Sequence, residues 1–209
     1  VAALCDGALV VFPTDTVYGI AAHPGRPGAT DRLFAAKGRP RELELPVLAP
    51  DLASARTVAD LDERAERLAA RFWPGPLTIV APRAAASGGW DLGGDPSTIG
   101  VRVPRHPLAL AVLAVTGPLA VTSANRSGEP TPADGEGVLA VFGDAVAVYL
   151  LDEGPLAGTG LAHFFDEAEL RSLLKDFELK TINSRVQSQQ KRNLSCALQE
   201  MVKKFTAEL

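Results

Sequence analysis

Short apolar segments alternate with segments of helical periodicity through the first 166 residues, and this alternation limits the possible folds more than any other feature of the sequence. Five apolar runs have the length of buried strands, at residues 8–12, 77–81, 99–103, 119–122 and 145–151. Helices are predicted between them, at residues 30–37, 61–72 and 107–115. Strands separated by helices predict an α/β domain with a mixed or mostly parallel open sheet.

The composition of the chain changes near residue 166. Before this point Lys37 is the only lysine, whereas residues 167–209 contain five lysines and neither Gly nor Pro. In this second part, apolar residues recur on one face of a predicted amphipathic helix, at Leu194, Leu198, Met201, Val202 and Phe205. We therefore predict an α/β domain at residues 1–166 and a C-terminal helical appendage at residues 167–209. Residues 84–96 are predicted to form a mobile surface loop.

Cysteine usage, hydropathy and charge narrow the functional classes. Cys5 and Cys196 lie at opposite ends of the chain, which indicates neither a disulfide framework nor a metal site. Because no apolar run is long enough to span a bilayer and no signal peptide is visible, we expect a cytoplasmic protein without a membrane partner. The net charge of −4 argues against a dedicated nucleic-acid-binding module, because such modules neutralise phosphates with a basic face.

Two polar segments have the residue types of a binding site. Residues 13–19 read PTDTVYG and place Thr16 and Tyr18 just after the first predicted strand, where small polar ligands bind in α/β sheets. The alternative for this segment is a turn stabilised by its own Thr and Asp side chains. Lys37 and Arg39 can present two cations to a polyphosphate from a segment shaped by Gly and Pro. We expect both cations to lie in a loop, and the alternative is an ordinary solvated basic loop.

Two further segments belong to predicted strands. Residues 121–128 read VTSANRSG and supply hydroxyls, an amide and a glycine for an anion-binding loop, or for an ordinary Asx or Ser/Thr turn. Arg102 lies inside an apolar strand, where a charge is costly unless it pairs with a carboxylate or phosphate. The three histidines show no metal-ligand spacing, and the sequence supports no Ser-His-Asp arrangement.

Together and in this order, these segments resemble the YrdC-like family, whose members make threonylcarbamoyl-AMP from L-threonine, bicarbonate and ATP. The resemblance rests on five blocks: PTDTVYG, KGRP, FWPGPLTIV, TIGVRVP followed by HPLAL, and PLAVTSANRSGEPT. The resemblance covers roughly residues 5–155. The fold that the resemblance implies is a twisted α/β sheet with flanking helices around a concave cleft.

The resemblance also implies roles for individual residues. Threonine would be bound by four of them, Thr16, Tyr18, Arg102 and Val121. The ATP phosphates would be held by two catalytic cations, Lys37 and Arg39. The remaining ATP contacts would be Thr98, Ser123, Asn125 and Thr131. Arg102 would pair with the threonine carboxylate and Val121 would offer backbone. No metal ligand is assigned directly, because Mg²⁺ would enter with ATP and lie near Ser123 and Asn125.

The reaction of the family needs no protein nucleophile. A carbamate formed from threonine attacks the α-phosphate of ATP and expels pyrophosphate, so positioning and charge neutralisation do most of the work. The product serves tRNA threonylcarbamoyladenosine formation by a downstream transfer complex. We therefore expect this chain to bind tRNA weakly or not at all.

The sequence departs from the family pattern at three places. Residues 162–166 read AHFFD where members usually have Ser-Thr-Val-Val-Asp, and a later Arg-Pro-Gly segment has no counterpart. Glu44 occupies a position where proline is common. These departures keep two other hypotheses open: a catalytically impaired RNA-binding or regulatory module, and a related carbamoyl-transfer domain. Proteins of the latter kind are usually much longer, with fused partner domains.

Overall fold

One mixed sheet of seven short strands organises the structure, a computed structural model that describes residues 1–151. The strands are β1 (Val10–Phe12), β2 (Gly19–Ala22), β3 (Val47–Leu48), β4 (Ile79–Pro82), β5 (Thr98–Arg102), β6 (Leu119–Ser123) and β7 (Val148–Tyr149). They lie in the order β4-β5-β3-β6-β2-β1-β7. The β1–β7 and β3–β5 pairs are parallel and the other pairs are antiparallel. The predicted mixed α/β sheet is therefore confirmed.

The helices begin and end at residues suited to these positions. They are α1 (Ala2–Cys5), α2 (Ala29–Lys37), α3 (Leu52–Val58), α4 (Glu63–Phe72), α5 (Pro107–Thr116) and α6 (Gly135–Phe142). Asp51, Asp62 and Asp134 precede α3, α4 and α6, and each carboxylate accepts a backbone N–H from the first turn. The α2 helix ends at Gly38, whose left-handed backbone, with φ of 58°, suits glycine. Lys37 is therefore the last residue of a helix.

Strand residues alternate between two hydrophobic clusters, one on each side of the sheet. On the α5 face, strand residues pack with Ala109, Val112 and Leu113 of α5: Val10, Phe12, Ala21, Leu48, Leu119 and Val121. On the α2 face, strand residues pack with residues of α2 and α3: Val11, Ile20, Val47, Ile99, Val101 and Ala120. The central strands are thus buried on both faces, which explains why they read as continuous apolar runs.

The five predicted strands and three predicted helices occur, and no predicted end differs from the observed one by more than three residues. The prediction does not contain β2, β3, α1, α3 or α6. Because β3 has only two residues, it is too short to produce a periodic signal. The β2 strand reads GIAA, and its small residues carry little of the β-branched or aromatic signal of strands.

Residues 84–96 lie mostly at the surface, as predicted, but two of their side chains anchor the segment to its neighbours. The side chains of Ser87 and Leu92 are fully buried. Ser87 Oγ donates to the backbone oxygen of Val58 at 2.6 Å, and the Leu92 backbone oxygen accepts from the Leu45 N–H at 2.8 Å. The prediction is wrong at these positions, because a hydroxyl and an apolar side chain anchor the Gly-rich segment to its neighbours.

The predicted boundary at residue 166, the AHFFD segment and the helical appendage at 167–209 lie outside the described residues. They stay predictions. Within residues 1–151, no helix is long and apolar enough to cross a membrane.

Candidate functional site

Strand register brings several predicted binding residues to the α5 face. Along β5, Ile99 and Val101 pack on the α2 face, so Thr98 and Arg102 point to the other side. In β6, Val121 packs on the α5 face, so Ser123, two positions further along the strand, points to the same face. The residues that share this face are Thr98, Arg102, Val121 and Ser123. They include predicted contacts to both threonine and ATP.

Arg102 is the centre of a hydrogen-bonded group on this face. Its Nε donates to the backbone oxygen of Gly75 at 2.9 Å, and its Nη1 donates to Thr16 Oγ1 at 3.3 Å. Its Nη2 forms an ion pair with the Asp15 carboxylate, and both side chains are 12% exposed. The charge in an apolar strand thus has the carboxylate partner that the sequence predicts. A guanidinium has more N–H groups than these contacts use, so a ligand carboxylate can bind beside Asp15.

The two threonines of the 13–19 segment have different environments. Thr14 is buried, and its Oγ1 donates to the backbone oxygen of Val17 at 2.6 Å. Thr14 therefore stabilises the turn, as the alternative interpretation predicts. Thr16 Oγ1 lies 3.1 Å from Thr14 Oγ1 and accepts from Arg102, so this hydroxyl is directed at the predicted threonine site. The segment is both a turn and part of the candidate site.

Tyr18 lies apart from the Arg102 group. Its side chain is buried in the hydrophobic cluster of the α2 face, on the opposite side of the sheet from Arg102. Its backbone oxygen accepts from the Ala124 N–H at 2.8 Å. Tyr18 therefore supports the site through packing and through the loop after β6.

Lys37 joins the end of α2 to the loop after β6. Its ammonium donates to the backbone oxygens of Ser123 and Asn125, each at 2.5 Å, and lies 3.4 Å from Asn125 Oδ1. Its own backbone oxygen accepts from the Ser127 N–H at 2.8 Å. Because Lys37 is only 2% exposed, the solvated-loop alternative is wrong for it. The expectation that Lys37 lies in a loop is also wrong, because α2 continues to this residue before Gly38 ends it.

The two predicted catalytic cations are both partly dehydrated. Burial lowers the pKa of Lys37 to about 8, and the charge of Arg39 adds to the shift. Burial also lowers the pKa of Arg39. The Arg39 Nε donates to the backbone oxygen of Leu43 and its Nη2 to that of Glu44, both at 3.0 Å. Since uncharged oxygens accept these hydrogen bonds, the positive charges stay available to a polyphosphate.

Val121 has a backbone oxygen available on the edge that faces β3. Its N–H donates to the Pro46 backbone oxygen at 2.9 Å, and the β3–β6 register places the two residues opposite each other. In such an antiparallel pair, the backbone N–H of the residue opposite Val121 normally donates to the Val121 carbonyl. Proline has no N–H, so the Val121 carbonyl lacks this donor. The geometry therefore supports the prediction that Val121 offers backbone to a ligand.

The other predicted ATP contacts occupy several positions around β6. Ser123 is half-buried at the end of the strand. Asn125 Nδ2 donates to two backbone oxygens of its own loop, at 2.8 and 2.6 Å, so its amide shapes the loop. Thr131 is half-buried between β6 and α6. Within residues 1–151, no side-chain hydrogen bond joins Thr131 to the other site residues, so the structure does not bring it into their network.

Magnesium fits this loop as an ion carried by a phosphate ligand. Among residues 1–151, His, Cys, Asp and Glu form no group of three or more that could hold a metal. The hydroxyl of Ser123 and the Oδ1 of Asn125 are oxygen ligands of a kind that Mg²⁺ accepts, but they are too few for its octahedral shell. These residues therefore fit an ion whose remaining ligands are phosphate oxygens and water.

Three charged residues that the sequence does not predict as site residues lie at the site in the structure. Asp15 pairs with Arg102. Glu44 and Arg83 form a second pair, with 3.5 Å between Glu44 Oε1 and Arg83 Nη2. The sequence feature that could have identified Glu44 is its place in the apolar run LELPVL, because a charge in such a run requires a partner.

Comparison with known proteins shows which family this chain resembles. The family model described as "Telomere recombination", for Sua5, YciO and YrdC proteins, matches residues 2–160. A Mycobacterium tuberculosis protein is 44% identical over 156 residues, which are 74% of this chain and 71% of the relative. The Bacillus subtilis protein named threonylcarbamoyl-AMP synthase is 36% identical over 156 residues, 74% of this chain and 45% of the relative.

A solved structure extends the likeness to three dimensions. The crystal structure of Pyrococcus abyssi Sua5 complexed with L-threonine has a TM-score of 0.65 and 34% identity to this chain. The match covers 72% of this chain and 44% of that one, so this chain corresponds to less than half of the Pyrococcus protein. Because the family model matches residues 2–160 and the relatives are similar in sequence over most of this chain, this chain belongs to the Sua5/YciO/YrdC family.

Proposed function

We propose that this chain synthesises threonylcarbamoyl-AMP from L-threonine, bicarbonate and ATP and releases pyrophosphate. The observation that carries the proposal is the pair of groups around β5 and β6: Arg102 can receive a carboxylate, and the partly dehydrated cations Lys37 and Arg39 donate only to uncharged oxygens. The name of the Bacillus subtilis relative and the L-threonine complex of the Pyrococcus abyssi relative support it.

Threonine is held by complementary charge and hydrogen bonds. Arg102 donates to its carboxylate beside Asp15, and the bidentate geometry of a guanidinium fixes the orientation of the amino acid. Thr16 Oγ1 lies within this group. The Val121 carbonyl accepts a hydrogen bond from the substrate N–H, since Pro46 supplies none to it.

The chemical step joins the two substrates through a carbamate. The threonine nitrogen attacks the carbon of CO₂ derived from bicarbonate and loses a proton, which gives a carbamate. A carbamate oxygen then attacks the α-phosphorus, and the bond to the bridging oxygen of pyrophosphate breaks. Lys37 and Arg39 neutralise charge on the phosphates during this exchange, so that no covalent enzyme intermediate is needed.

The loop after β6 presents the phosphate side of the site. Lys37 holds this loop through the backbone oxygens of Ser123 and Asn125. Its 3.4 Å contact with Asn125 Oδ1 is the weakest of the three, and a phosphate oxygen replaces it when ATP binds. Mg²⁺ entering with ATP would be held near Ser123 and Asn125 and would supply further charge neutralisation. Thr98 and Thr131 complete the nucleotide contacts.

The proposal includes a cytoplasmic location and a downstream complex that transfers the product to tRNA. A mixed anhydride of a carbamate and a phosphate is an activated acyl group, so it must pass to an acceptor before water reaches it. The net charge of −4 is consistent with weak or no direct tRNA binding.

Pyrophosphate release by the full 209-residue chain tests the proposal. ATP and Mg²⁺ are supplied with both L-threonine and bicarbonate, with each alone, and with neither. Release that requires both is expected. Release that is independent of threonine, or no release under any condition, would contradict the synthase assignment.

Measurement of tRNA affinity against salt concentration tests the RNA-binding alternative. Tight binding that falls steeply with salt, without ATP turnover, is the result that this alternative predicts. Weak binding together with threonine-dependent pyrophosphate release is the result that we expect.

A further inference from the structure

Glu44 and Arg83 form a partly buried ion pair, and neither side chain is needed for the chemical step above. Their side chains are 22% and 6% exposed, and 3.5 Å separates Glu44 Oε1 from Arg83 Nη2. Within residues 1–151, Glu44 Oε1 is shielded from solvent and accepts no hydrogen bond of normal geometry. A shielded carboxylate oxygen of this kind requires a nearby positive charge, and the Arg83 guanidinium supplies it.

Arg83 connects three segments of the chain. Its Nε donates to the backbone oxygen of Thr98 at 2.8 Å, at the start of β5. Its Nη1 donates to the backbone oxygen of Trp90 at 2.7 Å, in the 84–96 segment. Its Nη2 faces Glu44, in the segment after α2. One planar guanidinium with a fixed donor geometry therefore sets the relative positions of these segments.

Glu44 extends this connection to Arg39. The Glu44 backbone oxygen accepts from Arg39 Nη2 at 3.0 Å, while its carboxylate lies beside Thr98 and Arg83. A Cβ added at Gly94 would lie 2.7 Å from the Glu44 Cβ, so glycine is needed for this close approach. The backbone that orients Arg39 is thus held in place through the Glu44 side chain.

We infer that Glu44 and Arg83 are positioning residues for the nucleotide half of the site. Their ion pair fixes Arg39 and Thr98 relative to each other, although neither Glu44 nor Arg83 is assigned a substrate contact. The inference rests on the proposed function, because Arg39 and Thr98 are the ATP contacts of that proposal. The Glu44–Arg83 pair supports only the nucleotide half of the site, whereas the threonine half depends on Arg102 and Asp15.

The ionisation of Glu44 gives the pair a distinctive signature. Burial raises the pKa of Glu44 to about 7, the Arg83 charge opposes this shift, and the Asp95 charge adds to it. The charged groups that face Glu44 are Arg83 after β4, Asp95 before β5 and Arg39 after α2. Protonation of Glu44 near neutral pH weakens its attraction to Arg83, and the contacts of Arg102 are unchanged.

Glu44→Gln in the full chain tests the inference. The variant keeps the shape of the side chain and removes its charge. We expect the KM for ATP to rise about tenfold and the KM for threonine to stay within about twofold, because one charge-assisted contact that supports the nucleotide half is lost. The wild-type kcat/KM for ATP should rise with pH through an inflection near 7, the pKa of Glu44, and Glu44→Gln should lose this inflection.

A matched control and a second variant complete the test. Glu63→Gln on α4 removes the carboxylate of an exposed ion pair, whose Glu63 side chain is 87% exposed, and should change neither KM. Arg83→Met should raise the KM for ATP as Glu44→Gln does. The double variant Glu44→Gln/Arg83→Met should be less affected than the two single effects combined, because both remove the same contact.

Two results would overturn the inference. In one, Glu44→Gln has the wild-type KM for ATP and the wild-type pH profile. In the other, both KM values rise equally, which would indicate general damage to the fold. If wild type releases no pyrophosphate, the proposed function fails, and calorimetric titration with Mg²⁺-ATP then tests the ion pair alone. About tenfold weaker ATP binding by Glu44→Gln would support the inference, and equal affinity would overturn it.

Discussion

Replacing Lys37 with Met should destabilise the domain, because it removes the ammonium that joins α2 to the loop after β6. Methionine keeps an unbranched apolar side chain and lacks the charge. Without the ammonium, the Ser123 backbone oxygen still accepts from the Asn125 N–H at 3.0 Å, so the backbone oxygen of Asn125 is the acceptor that loses its donor. A buried carbonyl left without its donor costs about 1–3 kcal/mol of unfolding free energy.

The stability difference between wild type and Lys37→Met should depend on pH. The pKa of Lys37 is about 8 in the folded chain and 10.5 ordinarily, so between these values the unfolded chain binds more protons. Wild-type stability therefore rises with pH across this window, and this contribution is lost as pH falls through the folded pKa. The contribution reaches about 3 kcal/mol at most. Since Lys37→Met has no titrating group at this position, its stability falls further below that of wild type at alkaline pH.

Urea denaturation followed by circular dichroism measures both effects. A loss of about 2 kcal/mol corresponds to a fall of about 4–8 °C in Tm for a chain of this size, which thermal scans can check. Arg64→Met, which removes an exposed cation from α4, is the matched control and should leave stability within about 0.5 kcal/mol of wild type. If Lys37→Met is as stable as wild type at neutral pH, where Lys37 is charged, the ammonium does not hold the loop.

Three further perturbations probe other parts of the molecule. Arg102→Gln should raise the KM for threonine about 10–100-fold with little change for ATP, because the carboxylate loses its charged partner; steady-state kinetics showing equal rises would contradict this. Gly19→Ala places a Cβ 2.6 Å from Val121 Cγ1 and should destabilise the domain by about 1–3 kcal/mol, and an unchanged denaturation midpoint would contradict this packing. Deletion of residues 176–209 should leave a cooperatively unfolding domain, because residues 1–151 contain the two large hydrophobic clusters; a non-cooperative transition would show that the appendage completes the core.

The order and type of the long elements could be predicted because their signals are local. The strand predicted at residues 99–103 is an apolar run, and residues 99–101 of β5 are buried. Helix α5 begins at Pro107, a residue suited to the first helical turn. The two-residue β3 has no such signal, since its pairing with β5 and β6 depends on distant residues. The burial of Ser87 and Leu92 within the 84–96 segment could not be predicted for the same reason.

The residue types of the candidate site could be predicted, but several of their contacts could not. A buried arginine demands an anion, and this physical requirement pointed to a partner for Arg102. The acceptors of the Lys37 ammonium are backbone oxygens of Ser123 and Asn125, 86 and 88 residues away along the chain. Backbone oxygens occur at every position, so no residue pattern identifies those that accept from a distant side chain.

Mass spectrometry of the product tests the central claim most directly. The full chain is incubated with ATP, Mg²⁺, L-threonine and isotopically labelled bicarbonate. The account predicts a nucleotide with the mass of threonylcarbamoyl-AMP that carries the bicarbonate label and forms only when threonine is present. ATP consumption that yields ADP or AMP without this labelled adenylate would contradict it.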